Sequence, residues 1–468
     1  MTATAIPAPT APAAPDVPAS RRRRTAARRR RADGLLALAW ASAAVALGLY
    51  LAAGAVDLST PGAVLTALGI GTGLVGTDLV LVMLVLAARI PAVDRIIGHD
   101  QAMAAHKRIG KPAFYLLLAH GVLLTLGYAV ADGIDVVAET AALLTVPDLA
   151  LAYVALGLFT AVVVSSLVAV RRRMAYEVWH VIHLLSYAAV LTALPHQLSQ
   201  GGLLAEGTAQ RVYWIGLYVV ALGSIVVFRM LRPLAQSARH AIRVAEVERI
   251  APDAVSIHLT GRGLRRLGAR GGQFFSWRFW AAGAWWHAHP LSLSAVPDDR
   301  HARITVRALG RGSAGLAELP EGTPVTFSGP FGLFTDLTRR HDRVAIAAAG
   351  IGVTPVRALV EELGAAETTV LVRAGSVDEL YLWDELAAWG ATRGVAVYRS
   401  VGPRASGPEG WLSADDAARG VRMESVFPRL VGSDLYLCGP DGWADAVEAR
   451  ARGLGVPADD IHRERFDW

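Results

Sequence analysis

The chain has 468 residues, a formal net charge of +6 and 53% hydrophobic residues, with a positive mean hydropathy. It is too long for one ordinary domain and too apolar for a wholly soluble protein. A single cysteine, Cys438, excludes an internal disulfide framework and any cysteine-rich zinc or iron–sulfur centre, so a redox metal, if bound, must be held by histidine.

The first segment, 1–32, reads as a disordered basic leader on the cytoplasmic side: residues 1–20 are rich in Ala and Pro, and Arg21 to Arg31 follow as RRRRTAARRRR. That run reads as a topology determinant, not a nucleic-acid site. The long polar leader and the length of the apolar stretch behind it argue against a cleaved signal peptide. Six apolar stretches follow, near 34–54, 65–89, 107–130, 145–170, 177–198 and 211–230, each suited to the roughly 20 residues that a bilayer-crossing helix needs. Basic clusters in RIPAVDR, HKRIGK, VRRRMAY and FRMLRP border alternate ends, while Asp57, Asp132, Asp135, Glu139 and Glu206 lie in the other loops. By the positive-inside rule a six-helix transmembrane domain over 33–232 has both termini in the cytoplasm.

Within these stretches four histidines stand out: His106 and His120 on the third, His183 and His196 on the fifth. Fourteen residues of helix fall about 40° short of four turns and climb about 21 Å, so His106 and His120 share a face at two depths. Thirteen residues serve the fifth helix less well, about 140° from a common face on an ideal helix, although Pro195 can distort it just before His196. His180 does no better, and spacing alone does not choose between it and His183. Ionisable side chains inside a membrane are costly and mark function. Two helices that each offer an imidazole at two depths can clamp two stacked haems.

HKRIGKPAFYLLLAH (106–120) and WHVIHLLSYAAVLTALPH (179–196) resemble the haem helices of the ferric reductase and NADPH oxidase family, in which HK opens one helix with a second His fourteen residues on, and a tryptophan-led His has another thirteen on. The resemblance implies that His106 and His183 hold an inner b-type haem, that His120 and His196 hold an outer one, and that His180 is a neighbour. The oxidases carry a further His one turn after the outer ligand of the third helix, where this chain has Leu124.

From 238 to 335 short strands and turns suit a small antiparallel barrel. It contains HPLSLS (His289, Pro290, Leu291, Ser292, Leu293, Ser294), then VRALGRGSAGL with Arg307, Gly312 and Ser313, and GPFG. After 342 the pattern turns to strand, helix, strand, an α/β domain with a parallel sheet over 342–468. In RVAIAAAGIGVTPVRALV the glycine turn Gly350, Gly352, Val353, Thr354 and Pro355 opens a helix whose amides can receive a pyrophosphate. Pro355 stands where the dinucleotide fingerprint would have its last glycine. LYLCGPDGW brings Cys438, Gly439 and Pro440 to the end of a later strand.

The order and spacing of HPLSLS, GIGVTP and CGP resemble the ferredoxin–NADP reductase superfamily. The resemblance implies FAD along HPLSLS, with the Ser292 hydroxyl on the flavin and the amides around Gly312 and Ser313 on its diphosphate. It also implies nicotinamide beside Cys438, a 2′-phosphate near Arg373 with Arg404 as second contact, and Trp468 covering the flavin ring with Phe466 packed below. NADPH is thereby favoured, with NADH as the alternative. The whole resemblance spans 33 to 468 and implies a plasma-membrane enzyme in which cytosolic NAD(P)H gives a hydride to flavin and electrons leave singly through two haems. Oxygen or a ferric chelate is the expected acceptor on the outer face. A membrane shuttle to a protein or quinone partner is the alternative. A transporter with a regulatory nucleotide domain is a non-enzymatic one, which predicts no haem spectrum.

Overall fold

The computed structural model describes residues 19–54, 56–199, 202–308, 315–363 and 367–466. Contacts divide the chain into two units, Arg30–Leu231 and Arg232–Trp468 together with the residues up to Arg29.

The first unit contains six helices long and apolar enough to cross a membrane. These are α1 (Ala19–Ala52), α2 (Pro61–Ala87), α3 (His99–Asp132), α4 (Leu149–Ser166), α5 (Tyr176–Ser199) and α6 (Ala209–Ser224), the last followed by a π-helical turn, Ile225–Leu231. The leader expected to be irregular through residue 32 is helical from Ala19, because Arg and Ala are strong helix formers and run directly into the apolar stretch; residues 1–18 lie outside the described residues. Polar caps start two of the spans. The Thr60 hydroxyl accepts from the Ala63 amide at 3.2 Å with Pro61 in the first turn, and Thr208 does the same for Arg211 at 3.2 Å. Leu36, Leu38, Leu118, Val122, Val181 and Val219 are exposed, an apolar surface that suits lipid rather than water.

Helices α2 and α3 pack closely because one face of α2 is glycine. A Cβ at Gly69 would lie 2.8 Å from the Leu124 side chain, and one at Gly76 would lie 3.1 Å from Leu116 Cβ, so the helices approach backbone to backbone. Elsewhere on α2, Asp78 is fully buried. It accepts from the Ser42 hydroxyl of α1 at 2.5 Å, and Ser42 lies 3.1 Å from the Tyr213 hydroxyl of α6.

The second unit opens with α7 (Arg232–His240) and six antiparallel strands: β1 (Arg243–Ala251), β2 (Ala254–Thr260), β3 (Phe274–Phe279), β4 (His289–Ala295), β5 (His301–Arg307) and β6 (Val325–Phe331). Their order is β1-β2-β5-β4-β3-β6, wrapped around buried Ile257, Phe275, Trp277, Phe279, Leu293 and Ile304. The barrel expected from the sequence is not closed. Its edge strands β1 and β6 meet only around an isolated bridge between Arg243 and Pro324, where the Val244 amide donates to the Thr323 carbonyl at 3.0 Å and the Val325 amide to the Ile242 carbonyl at 2.9 Å, instead of along a ladder.

The second lobe is a parallel sheet in the order β11-β10-β7-β8-β9, built from β7 (Arg343–Ala349), β8 (Thr368–Ala374), β9 (Ala396–Val401), β10 (Ser433–Cys438) and β11 (Ile461–Glu464). Helices α8 (Val353–Leu363), α9 (Trp383–Arg393) and α10 (Asp441–Gly453) connect them. The chain leaves β7 toward β8 on one side and returns with β10 on the other. That reversal is a topological switch point, where sheets of this kind receive ligands at the carboxyl ends of their strands.

Candidate functional site

In the membrane unit the four histidines form two facing pairs. The ring centroids of His106 and His183 lie 6.1 Å apart and those of His120 and His196 lie 6.5 Å apart. Two metal–imidazole bonds of about 2 Å each, with each ring centre about 1.1 Å behind its nitrogen, require about 6.2 Å between axial imidazoles. Both pairs therefore fit one iron between two rings. Among the described residues no group of three or more His, Cys, Asp or Glu side chains could hold a metal ion. Two opposed imidazoles suit an iron that brings its own equatorial ligands, as haem iron does.

Helix α2 sets the orientation of both α3 rings. His120 Nδ1 donates to the Gly69 carbonyl at 2.8 Å and His106 Nδ1 donates to the Met83 carbonyl at 3.2 Å. A carbonyl can only accept, so Nε2 of each ring keeps its lone pair for a metal. Gly73 makes room for this arrangement, since a Cβ there would lie 2.3 Å from His120 Nδ1. On α5 the Trp179 ring stacks on His183 at 5.0 Å and the Arg171 guanidinium lies 4.8 Å from the Trp179 ring centre. His180 packs beside Trp179 at 6.5 Å, and of the two histidines that spacing left open it is His183 whose ring faces His106. Pro195, in the same helix, removes an amide just before His196.

In the flavin-like lobe, HPLSLS forms β4. His289 Nε2 and Ser292 Oγ are buried without a partner, two orphaned polar atoms on the strand expected to carry an isoalloxazine. Burial, with help from His287 and then Arg278, pushes the His289 imidazole down to about 4, so it is neutral at physiological pH. Pro290 pairs with Ser276 of β3, the Leu291 carbonyl accepts from the Trp277 indole at 3.1 Å, and Leu293 is core. Ser294 is already engaged, its hydroxyl accepting from Arg303 Nε at 3.1 Å. Arg307, expected among the cofactor contacts, pairs with Asp253 at 2.7 Å and Glu379 at 2.9 Å. Gly312 and Ser313 lie outside the described residues.

At the switch point the two glycine motifs interlock. Gly350 has φ +54°, a backbone that glycine adopts without cost. A Cβ at Gly352 would fall 2.3 Å from the Cys438 carbonyl, so GIGVTP packs directly on CGP. Val353, Thr354 and Pro355 start α8 as buried residues, and Thr354 Oγ1 has no partner. Pro440, just past β10, is exposed at this edge while Gly439 is half-buried. Cys438 is fully buried; burial, and then Glu464, pushes its thiol well up, so it serves as a small neutral wall and not as a thiolate. Arg373 is buried, its guanidinium donating to the carbonyls of Ala374, Ser400 (3.3 Å) and Gly402 (2.6 Å). Arg404 is the exposed arginine beside it, held by the carbonyls of Gly410 and Gly442, the latter at 2.7 Å. Phe466 is exposed, and Trp468 lies outside the described residues.

Sequence reading missed two features. The glycine face of α2 was legible as Gly69, Gly73 and Gly76 at small-residue spacing. The ion pairs Arg303–Glu385 and Arg307–Glu379, which join the two lobes of the second unit, were not, because charge pairs far apart in sequence leave no local pattern.

The family described as ferric reductase like transmembrane component matches residues 72–194. A flavohemoprotein of Deinococcus radiodurans is 28% identical over 194 residues, covering 39% of this chain and 47% of that protein. Ferredoxin–NADP reductase B of Sorangium cellulosum is 30% identical over 194 residues, 38% of this chain and 77% of its own length. Probable metalloreductase AIM14 of Yarrowia lipolytica is 26% identical over 266 residues, 56% of this chain and 45% of its own. The chain thus spans about half the length of the flavohemoprotein and of the metalloreductase that it matches. With a ferric reductase-like transmembrane component ahead of a ferredoxin–NADP reductase-like module, the chain belongs to the ferric reductase and NADPH oxidase-like fusions.

Proposed function

We propose that the protein is an NAD(P)H-dependent transmembrane oxidoreductase of the plasma membrane, with FAD, two b-type haems and both termini in the cytoplasm. It passes electrons to oxygen or a ferric chelate on the outer face. The observation that carries this reading is the pair of facing imidazole sets at two depths, 6.1 and 6.5 Å between ring centres. When bound, the flavin would accept a two-electron hydride and the haems would carry single electrons, which is the conversion this reading needs.

The residues serve as holders and insulators. His106 with His183, and His120 with His196, hold iron from both sides, and the α2 carbonyls keep two of those rings from turning. His289 and Ser292 offer polar atoms to the flavin ring, while the amides of Gly350 to Thr354 at the start of α8 meet pyrophosphate. Gly439 and Pro440 leave room for nicotinamide, with Cys438 behind. Gly312, Ser313 and Arg307 belong to the flavin diphosphate side, Trp468 to the flavin face, and Arg373 with Arg404 to the cationic rim for a 2′-phosphate. Iron held by a histidine on each side would have no vacant position, so the acceptor would be met at the outer edge. Leu124, packed on Gly69, gives no hydrogen bond to reduced oxygen there, which favours the ferric chelate.

The test is anaerobic NADPH addition to the purified protein while haem absorbance is followed, then separate additions of oxygen and ferric chelate. Reduction of haem by NADPH and reoxidation by either acceptor is expected; haem that NADPH leaves oxidised sinks the electron path.

A further inference from the structure

The loop between β3 and β4, residues 280–288, carries Trp280, Trp285 and Trp286 within seven residues, and all three are exposed, at 51%, 54% and 46%. The remaining described tryptophans of this unit behave differently: Trp277, Trp411 and Trp443 are buried, and Trp383 and Trp389 are packed against the core of the nucleotide lobe. Among the described residues of this unit, exposed indoles are thus confined to one loop. The loop is also built rather than slack. Arg278 Nη1 donates to the carbonyls of Trp285 and Trp286 at 2.9 and 3.1 Å, and the Trp280 indole donates to the Thr326 hydroxyl at 3.1 Å. The Trp286 ring lies 3.8 Å from His287, which lies 6.1 Å from His289.

We propose that this tryptophan loop inserts into the headgroup region of the bilayer on the cytoplasmic side. Three observations choose lipid as the occupant. Indole, with an apolar body and one N–H donor, is the side chain that gathers at the boundary between hydrocarbon and headgroups. The guanidinium of Arg278 at the base of the loop supplies the charge that phosphate headgroups attract. The chain carries its own bilayer in six spans, and only residues 232–242 separate the last of them from β1, which keeps the effective concentration of membrane high. The proposal rests on the membrane spans and not on the electron path, so it stands or falls separately from the haem assignment.

The test uses the full chain in nanodiscs of phosphatidylcholine and phosphatidylglycerol. Cys438 is fully buried and is the single native cysteine, so Ala282→Cys and Val377→Cys each create the one accessible thiol for a nitroxide label. Ala282 is exposed inside the loop and Val377 is 70% exposed on the nucleotide lobe. The label at 282 should collide with oxygen and be shielded from a water-soluble nickel chelate, with an oxygen-to-nickel ratio several-fold above that at 377. Equal ratios at the two sites would place the loop in water and overturn the proposal. Exclusion of both reagents at 282 would also overturn it, because the loop would then be packed on protein. Flavin absorbance, unchanged in both labelled proteins, reports that the lobe is folded.

Discussion

Arg303 of β5 and Glu385 of α9 form a two-pronged pair, Nη1 to Oε1 at 2.8 Å and Nη2 to Oε2 at 3.0 Å, which fastens the flavin-like lobe to the nucleotide lobe. Arg357 reaches the same carboxylate at 2.7 Å through Nε, and Arg303 holds the Ser294 hydroxyl. Glu385→Gln removes the anion that the two guanidinium groups share, leaving Arg303 without a carboxylate and Arg357 with Glu361 alone, while keeping the shape. A partly exposed pair of this kind is worth about 1 kcal/mol, so hydride transfer from NADPH to flavin should slow by roughly fivefold with haem content unchanged. Stopped-flow bleaching of the flavin under anaerobic conditions measures it, and an unaltered rate would make the pair a surface ornament.

Gly73→Ala should cost the outer haem selectively. The new methyl would stand 2.3 Å from His120 Nδ1, where α2 backbone leaves no slack, so His120 must leave His196 while His106 and His183 stay paired. Haem per protein should fall by half, as it should in His120→Leu and His196→Leu, with flavin retained. Two haems in all three variants would reject the ligand assignment.

Arg404 and Arg373 separate by their burial. Arg404→Ala removes the exposed cation of the nucleotide rim and should raise KM for NADPH about tenfold with little change for NADH, since a charge-assisted bond to phosphate is worth about 1.5–3 kcal/mol. Arg373→Ala strands the carbonyls of Ser400 and Gly402 and should lower thermal stability and weaken both nucleotides. A selective NADPH loss in Arg373→Ala alone would return the phosphate to Arg373.

Acid should loosen the flavin lobe through His289. Its imidazole is pushed down to about 4 from the ordinary 6.5, so the unfolded chain binds the extra proton first. The stability it contributes is full above about pH 6.5 and is lost as pH falls toward 4. FAD fluorescence released between pH 7 and 4.5 should rise at a higher pH in the parent than in His289→Gln, which has no proton to take up. Coincident curves would show that other groups govern the release.

Much of this was legible beforehand for a physical reason: membrane histidines and glycine turns are local signals. HPLSLS, GIGVTP and CGP each form from contiguous residues, and the parallel sheet brings the last two together because β7 and β10 are neighbours. Long-range choices were not legible. Whether His180 or His183 faces α3 depends on the tilt of α5 and on Trp179, and the fate of Arg307 depends on Asp253 and Glu379, 54 and 72 residues away. The unclosed sheet edge depends on how β1 and β6 meet across Arg243 and Pro324, a long-range pairing that no periodicity reports.

The carbonyls of Gly69 and Met83 that receive the α3 imidazoles belong to the peptide backbone, so no substitution can change their chemistry, only their distance. A ring that shares its Nδ1 proton with a carbonyl becomes a stronger electron donor through Nε2, and a stronger donor stabilises ferric over ferrous iron. If these rings hold iron as proposed, its potential is therefore set in part by how closely α2 approaches α3. Seam substitutions gentler than Gly73→Ala would shift that potential while leaving all four histidines in place.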